Sequence, residues 1–102
     1  MKFDWVDSFH DGFARVRSNN KWNYIDKKGN ILSNQWFDDI FTFYHGFAMV
    51  KLNNQYNFID TKGNIISNQW FDDISGFDNG FARVKLNDKW YQIDKNGDLK
   101  GL

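Results

Sequence analysis

The chain has 102 residues, enough for one small domain, and its 13 Lys or Arg balance 13 acidic residues, so no net field gathers nucleic acid or a membrane surface. It has no cysteine, which excludes disulfides and thiolate metal sites, and no apolar run near the roughly 18 residues that a membrane span needs. Every acid is Asp, Pro is absent and aromatic residues make up 20%, a composition that disfavours helix and suits short strands joined by turns.

The opening segment, Lys2 to Phe9, carries Asp4, Trp5 and Asp7 in place of the basic start and apolar core of a secretory signal, so a cytoplasmic chain is expected. From Phe13 to Ser18, Phe13, Arg15 and Arg17 alternate with Ala14 and Val16, which predicts a strand. Asn19-Asn20 tolerate positive φ and predict a two-residue primed turn. A second strand runs from Trp22 to Asp26. The Asp-x-x-Gly step Asp26 to Gly29 fits a type I turn with glycine in the left-handed position, and a third strand, Asn30 to Ser33, returns. A connector follows, with room for a short fourth strand over Phe37 to Ile40.

The same order then recurs. GFARV at Gly12 returns as GFAMV at Gly46 and GFARV at Gly80, a step of 34 residues both times. KWNYID, QYNFID and KWYQID keep that step, as do KKGN, TKGN and KNGD, and SNQWFDDI occurs at Ser33 and Ser67. Lys2 to Phe9 aligns with Trp36 to Phe43. The expected fold is therefore all-β: one domain, 1–102, of three antiparallel meander units (1–34, 35–68 and 69–102), set either as a closed threefold ring or as a short open stack.

The Asn-Asn turn fixes a register with Arg17 opposite Trp22 and Arg15 opposite Tyr24. It likewise sets Lys51 opposite Tyr56 and Lys85 opposite Trp90. Ala14 with Ile25, Ala48 with Ile59 and Ala82 with Ile93 fall on the other face, assigned to the core. Trp36, Trp70, Phe3, Phe37 and Phe71 are expected inside as well, because a lone meander cannot bury enough to be stable. Both ends of the chain carry apolar residues, Phe3, Trp5 and Val6 at one and Trp90 and Tyr91 at the other, without distinct polar caps. That predicts contact between the first and third units, within one chain or across a dimer.

These motifs resemble the WG-repeat family of bacterial proteins, whose unit is similar to G-F-A-x-V, K-W-G-F-I-D, K-G-x-I and a closing aromatic-Asp-Asp segment. The family's glycine after tryptophan is Asn23, Asn57 and Tyr91 here, and its proline pair is replaced by Ser33-Asn34 and Ser67-Asn68. The resemblance implies a β-repeat and brings no shared catalytic residue.

No catalytic residue, metal site or cofactor is expected, since His10 and His45 stand at non-equivalent positions and no orienting partner accompanies either. The pairs Asp38-Asp39 and Asp72-Asp73 lack the alternating oxygen ligands of a calcium loop and read as turn or strand caps. The candidate binding residues are the repeated cations and aromatics: Arg15, Arg17, Trp22, Tyr24, Lys51, Tyr56, Phe58, Arg83, Lys85 and Trp90. They predict a non-enzymatic module, monomer or homodimer, that binds another protein. A carbohydrate-binding module and a small phage-type inhibitor of a host defence enzyme are the alternatives, with neither nucleic acid nor membrane favoured.

Overall fold

A computed structural model describes residues 3–102; Met1 and Lys2, and so the start of the Lys2 to Phe9 segment, lie outside the described residues. Each unit is a short connector strand followed by a hairpin. The first comprises β1 (Trp5–Val6), β2 (Phe13–Ser18) and β3 (Lys21–Asp26), and the second β4 (Asp39–Ile40), β5 (Phe47–Leu52) and β6 (Gln55–Asp60). The third comprises β7 (Asp73–Ile74), β8 (Phe81–Leu86), β9 (Lys89–Asp94) and an added β10 (Leu99–Gly101). Among the described residues the chain makes three separate antiparallel sheets, ordered β1-β2-β3, β4-β5-β6 and β10-β9-β8-β7.

The hairpins hold the register that their turns dictate. Asn19 and Asn20 have φ of 53° and 64°, and the second and third turns repeat these values, the positive pair of a primed turn. Arg17 accordingly opposes Trp22, Arg15 opposes Tyr24, Lys51 opposes Tyr56 and Lys85 opposes Trp90. A second primed turn was not read from the sequence. Asp11-Gly12, His45-Gly46 and Asn79-Gly80 all have positive φ and fold each connector back onto its hairpin, through bridges such as His10–Phe13 and Tyr44–Phe47.

The connector therefore pairs forward, Ile40 with Val50 in the sheet of the next hairpin, while Phe37 exchanges both backbone hydrogen bonds with Trp22 of the preceding one. The predicted third strand, Asn30 to Ser33, shrinks to a single bridge, Ile25–Ile31, and in the second unit to Ile59–Ile65. Asn23 is the reason. It is fully buried, its Nδ2 donating to the Ser33 carbonyl at 2.9 Å and the Gln35 carbonyl at 3.3 Å, while its Oδ1 accepts from Tyr24 N at 2.8 Å. Asn57 does the same with Ser67, Gln69 and Phe58. The side chain replaces the ladder bonds that the departing chain gives up. Tyr91 occupies this position in the third unit and cannot clamp, and there the strand stays regular as β10.

Because paired residues share a sheet face, each hairpin has two sides to cover; the first two hairpins are covered on both and the third on one, its Phe81 and Trp90 remaining exposed. One holds Ala48, Val50 and Ile59; it packs on Tyr24, with Phe13 and Trp22 at the margin, from the unit before. Ala82, Val84 and Ile93 pack on Phe58, Phe47 and Met49 in the same way. Phe37 and Phe71 are fully buried at these junctions, with Trp36 and Trp70 half-buried beside them.

The stack is open, 43 × 26 × 18 Å, and the ring is not formed: among the described residues each junction joins neighbours only, so the expected first-to-third contact is not made within the chain there. Apolar residues stay exposed at both ends as expected, Trp5 at 43%, Val6 at 50% and Trp90 at 40%, although part of each end is relieved. Ala14, Val16 and Ile25 are covered by Phe3, Ile31 and Trp36, and at the other end Gln92 replaces the aromatic that Tyr24 and Phe58 supply to a junction.

Two predictions follow from the junctions. A Cβ at Gly97 would lie 1.8 Å from the Ile66 carbonyl oxygen of the preceding unit, whereas one at Gly29, with nearly the same φ of 86°, meets nothing within 4 Å. Gly29→Ala should cost about 1 kcal/mol of backbone strain, and Gly97→Ala should cost about 2 kcal/mol more in urea denaturation, because the units must separate. Asn57→Asp, which turns an acceptor toward two carbonyls, should cost about 3 kcal/mol at neutral pH. Burial raises the folded-state pKa of such a carboxyl, so its destabilisation should shrink as pH falls, which denaturation at successive pH values will register.

Candidate functional site

The predicted row of cations and aromatics divides once folded. Tyr24 and Phe58 are 1% exposed, which removes both from the exposed row; Phe58 contributes only to the wall of an apolar groove. The cause is the next connector: Phe43 stacks on Phe13 at 4.6 Å and meets Tyr24 edge-on at 4.9 Å, and Phe77 does the same to Phe47 and Phe58 at 4.4 and 4.7 Å. The Tyr24 hydroxyl donates to the Phe41 carbonyl, and burial pushes its pKa well above the usual phenol value.

In the first unit the Arg15 guanidinium lies 5.9 Å from the rings of both Trp5 and Trp22, which meet edge-on at 5.4 Å. It is also held by Asp7, through Nε at 2.9 Å and Nη2 at 2.8 Å. Arg17 stands over Trp22, again at 5.9 Å, and Lys51 over Tyr56 at 5.5 Å. These cations cover the half-buried rings of Trp22 and Tyr56, so the contacts serve the hairpins first. Trp90, 40% exposed, faces outward at the far end with Arg83 and Lys85.

One surface hollow was missed from the sequence. At the junction of the second and third units, Phe41, Tyr44, Phe47, Met49, Phe58 and Phe77 line an apolar groove of about 340 Å³. Phe41 and Tyr44 form its open rim, 37% and 62% exposed. The repeat supplies its own controls, since Met49 stands where the other units have Arg15 and Arg83, and Phe41 where they have Asp7 and Ser75. In the first unit the same two positions hold the Arg15–Asp7 ion pair; in the third they sit in a polar hollow with Asp78 and Gln92. Only in the second unit do all these positions turn apolar. The signal was present in the sequence as a departure from the repeat.

The two histidines occupy structural places. His45 has φ of 54° in the turn that Asp11 and Asn79 make in the other units, and His10 bridges Phe13 through its backbone. Among the described residues no cluster of three His, Cys, Asp or Glu could hold a metal ion. The first carboxylate of each pair anchors a hairpin turn instead: Asp38 accepts from Asn53 N at 2.8 Å, with Asp4–Asn19 and Asp72–Asn87 equivalent, and Asp38 also pairs with Lys21 of the preceding unit.

Lys21 foremost, then the Asn53 amide, hold the Asp38 carboxyl below its ordinary pKa, and Arg15 foremost does so for Asp7. A lowered folded-state pKa stabilises the fold above the unfolded value and is lost as pH falls through the folded one. The melting temperature should therefore drop on acidification through the carboxylate range below about pH 4. Asp38→Asn should lower it at neutral pH and flatten that acid slope, as thermal melts across pH will record.

The sequence matches the family described as WG containing repeat, over residues 1–22, 24–56 and 58–90. No curated protein and no solved structure matches the chain. The family's repeats start in a different phase from the structural units yet keep their 34-residue step, from 24 to 58. With three tandem matches over most of its length and an all-β stack that follows them, this chain belongs to the WG-repeat family.

Proposed function

We propose that this chain is a non-catalytic protein-interaction module whose partner inserts an apolar side chain into the groove between the second and third units. The observation that supports this is the groove's composition: an otherwise conservative repeat exchanges an ionic pair for Met49 and Phe41 at one junction only, and leaves Phe41 and Tyr44 exposed at the rim. A methionine beside aromatic walls is an adaptable apolar surface, suited to protein side chains. A carbohydrate platform has less support. Tyr24 and Phe58 are buried and cations stand over Trp5, Trp22 and Tyr56, which leaves Trp90 as the one candidate aromatic with an open face among the described residues. An inhibitor that plugs a site on another protein would use the same groove.

The repeat provides the test. Phe41→Asp with Met49→Arg installs in the second unit the pair that the first already carries as Asp7 and Arg15, so the melting temperature should stay within roughly 4 °C of the parent. A partner captured by the parent chain should bind the double variant at least about tenfold more weakly in calorimetry. Unchanged affinity would remove the groove from the site, and a glycan array with a saturable binder insensitive to this change would favour the carbohydrate reading.

A further inference from the structure

We propose that the chain also binds a second copy of itself head to tail, with Val6 and Phe9 of one copy covering Phe81 and Gln92 of another. This uses a surface separate from the groove of Phe41 and Met49 and does not depend on it.

The template for the contact is made twice inside the molecule. Phe43 covers Phe13, and Phe77 covers Phe47, in stacked pairs at 4.6 and 4.4 Å. Phe9 is the same position as Phe43 one unit earlier and Phe81 the same position as Phe47 one unit later, and neither has a stacking partner among the described residues. Phe43 and Phe77 are 4% exposed, whereas Phe9 is 44% and Phe81 47% exposed. Val6 is 50% exposed where its equivalent Ile40 is 1%. The described chain thus presents one unfilled half of its own junction at each end.

The surroundings complete the match. A hollow of about 490 Å³ beside Phe81, lined also by Ser75, Asp78, Arg83 and Gln92, is the third unit's version of the groove. In the second unit Gly76 and Phe77 of the following unit form a wall of that groove. Ser8 and Phe9 of the second copy would stand in the same place. Charges agree too. Lys21 pairs with Asp38 across the first junction, and their equivalents at the two ends, Lys89 and Asp4, are both exposed and of opposite sign. Arg15 Nη1 reaches the Ile40 carbonyl at 3.4 Å, and Arg83 is placed to reach that of Val6.

One internal element is not repeated. β10 pairs along the outer edge of β9 as far as Tyr91, the edge on which Phe37 meets Trp22 at the first junction. The contact between copies is therefore held by facing side chains without the strand bridge, which makes it weak and reversible. Its two surfaces differ, so growth does not stop at a closed dimer.

Sedimentation velocity tests this. The parent chain should gain average mass with concentration and pass beyond the dimer. Phe9→Lys and Phe81→Lys, both at half-exposed positions and checked for folding by circular dichroism, should each stay monomeric. An equimolar mixture of the two should form dimers and nothing larger, because each retains one working end. The Phe41→Asp, Met49→Arg double variant should associate like the parent, which separates this contact from the groove. A parent chain that stays monomeric up to about 1 mM overturns the proposal, as does a mixture that stays monomeric while the parent associates.

Discussion

A chain that builds a sequence of small sheets must leave each sheet without stranding the backbone groups it abandons, and Asn23 and Asn57 meet that constraint. Each amide spans the gap between the chain that departs and the strand that stays, donating to two carbonyls and accepting from a backbone N–H. Among the described residues no buried side-chain nitrogen or oxygen lacks a partner, so the cost of burying these amides is met. The connector is then free to bridge Trp22 with Phe37 and, a few residues on, to enter the next sheet at Ile40. Where Tyr91 takes the place of asparagine the chain does not leave at all and runs on as β10.

The first two hairpins are consequently covered on both sides, small and branched residues meeting aromatic ones across each of the two junctions. This is the nearest-neighbour stability of a linear array. It also separates structure from function along the sequence. Positions that repeat faithfully, such as the Ala, Val and Ile of one face, carry the packing. Positions that break the pattern, Met49 with Phe41 and Gln92 with Tyr91, mark where the surface changes character.

Much of this was legible in the residues. The Asn-Asn turn set the register of three hairpins, and the period supplied the unit. The Asp11-Gly12 and Asn79-Gly80 turns were equally strong signals, yet they fell in a stretch read as loop, so the connectors' forward pairing was missed. Whether Tyr24 and Phe58 were exposed could not be decided, because both faces of the hairpin are apolar and alternation marks no inside. The choice between ring and open stack depends on the rotation from one sheet to the next, which periodicity does not encode. The groove required a comparison between units, position by position.

The direction in which the units cover one another bears on synthesis. Phe13 and Tyr24 are covered by Phe43, and Phe47 and Phe58 by Phe77, so every aromatic face waits for residues that lie later in the chain. On the ribosome, where the N-terminal part emerges first, a completed hairpin stays sticky until its successor's connector is delivered, and that uncovered face moves along with the growing chain.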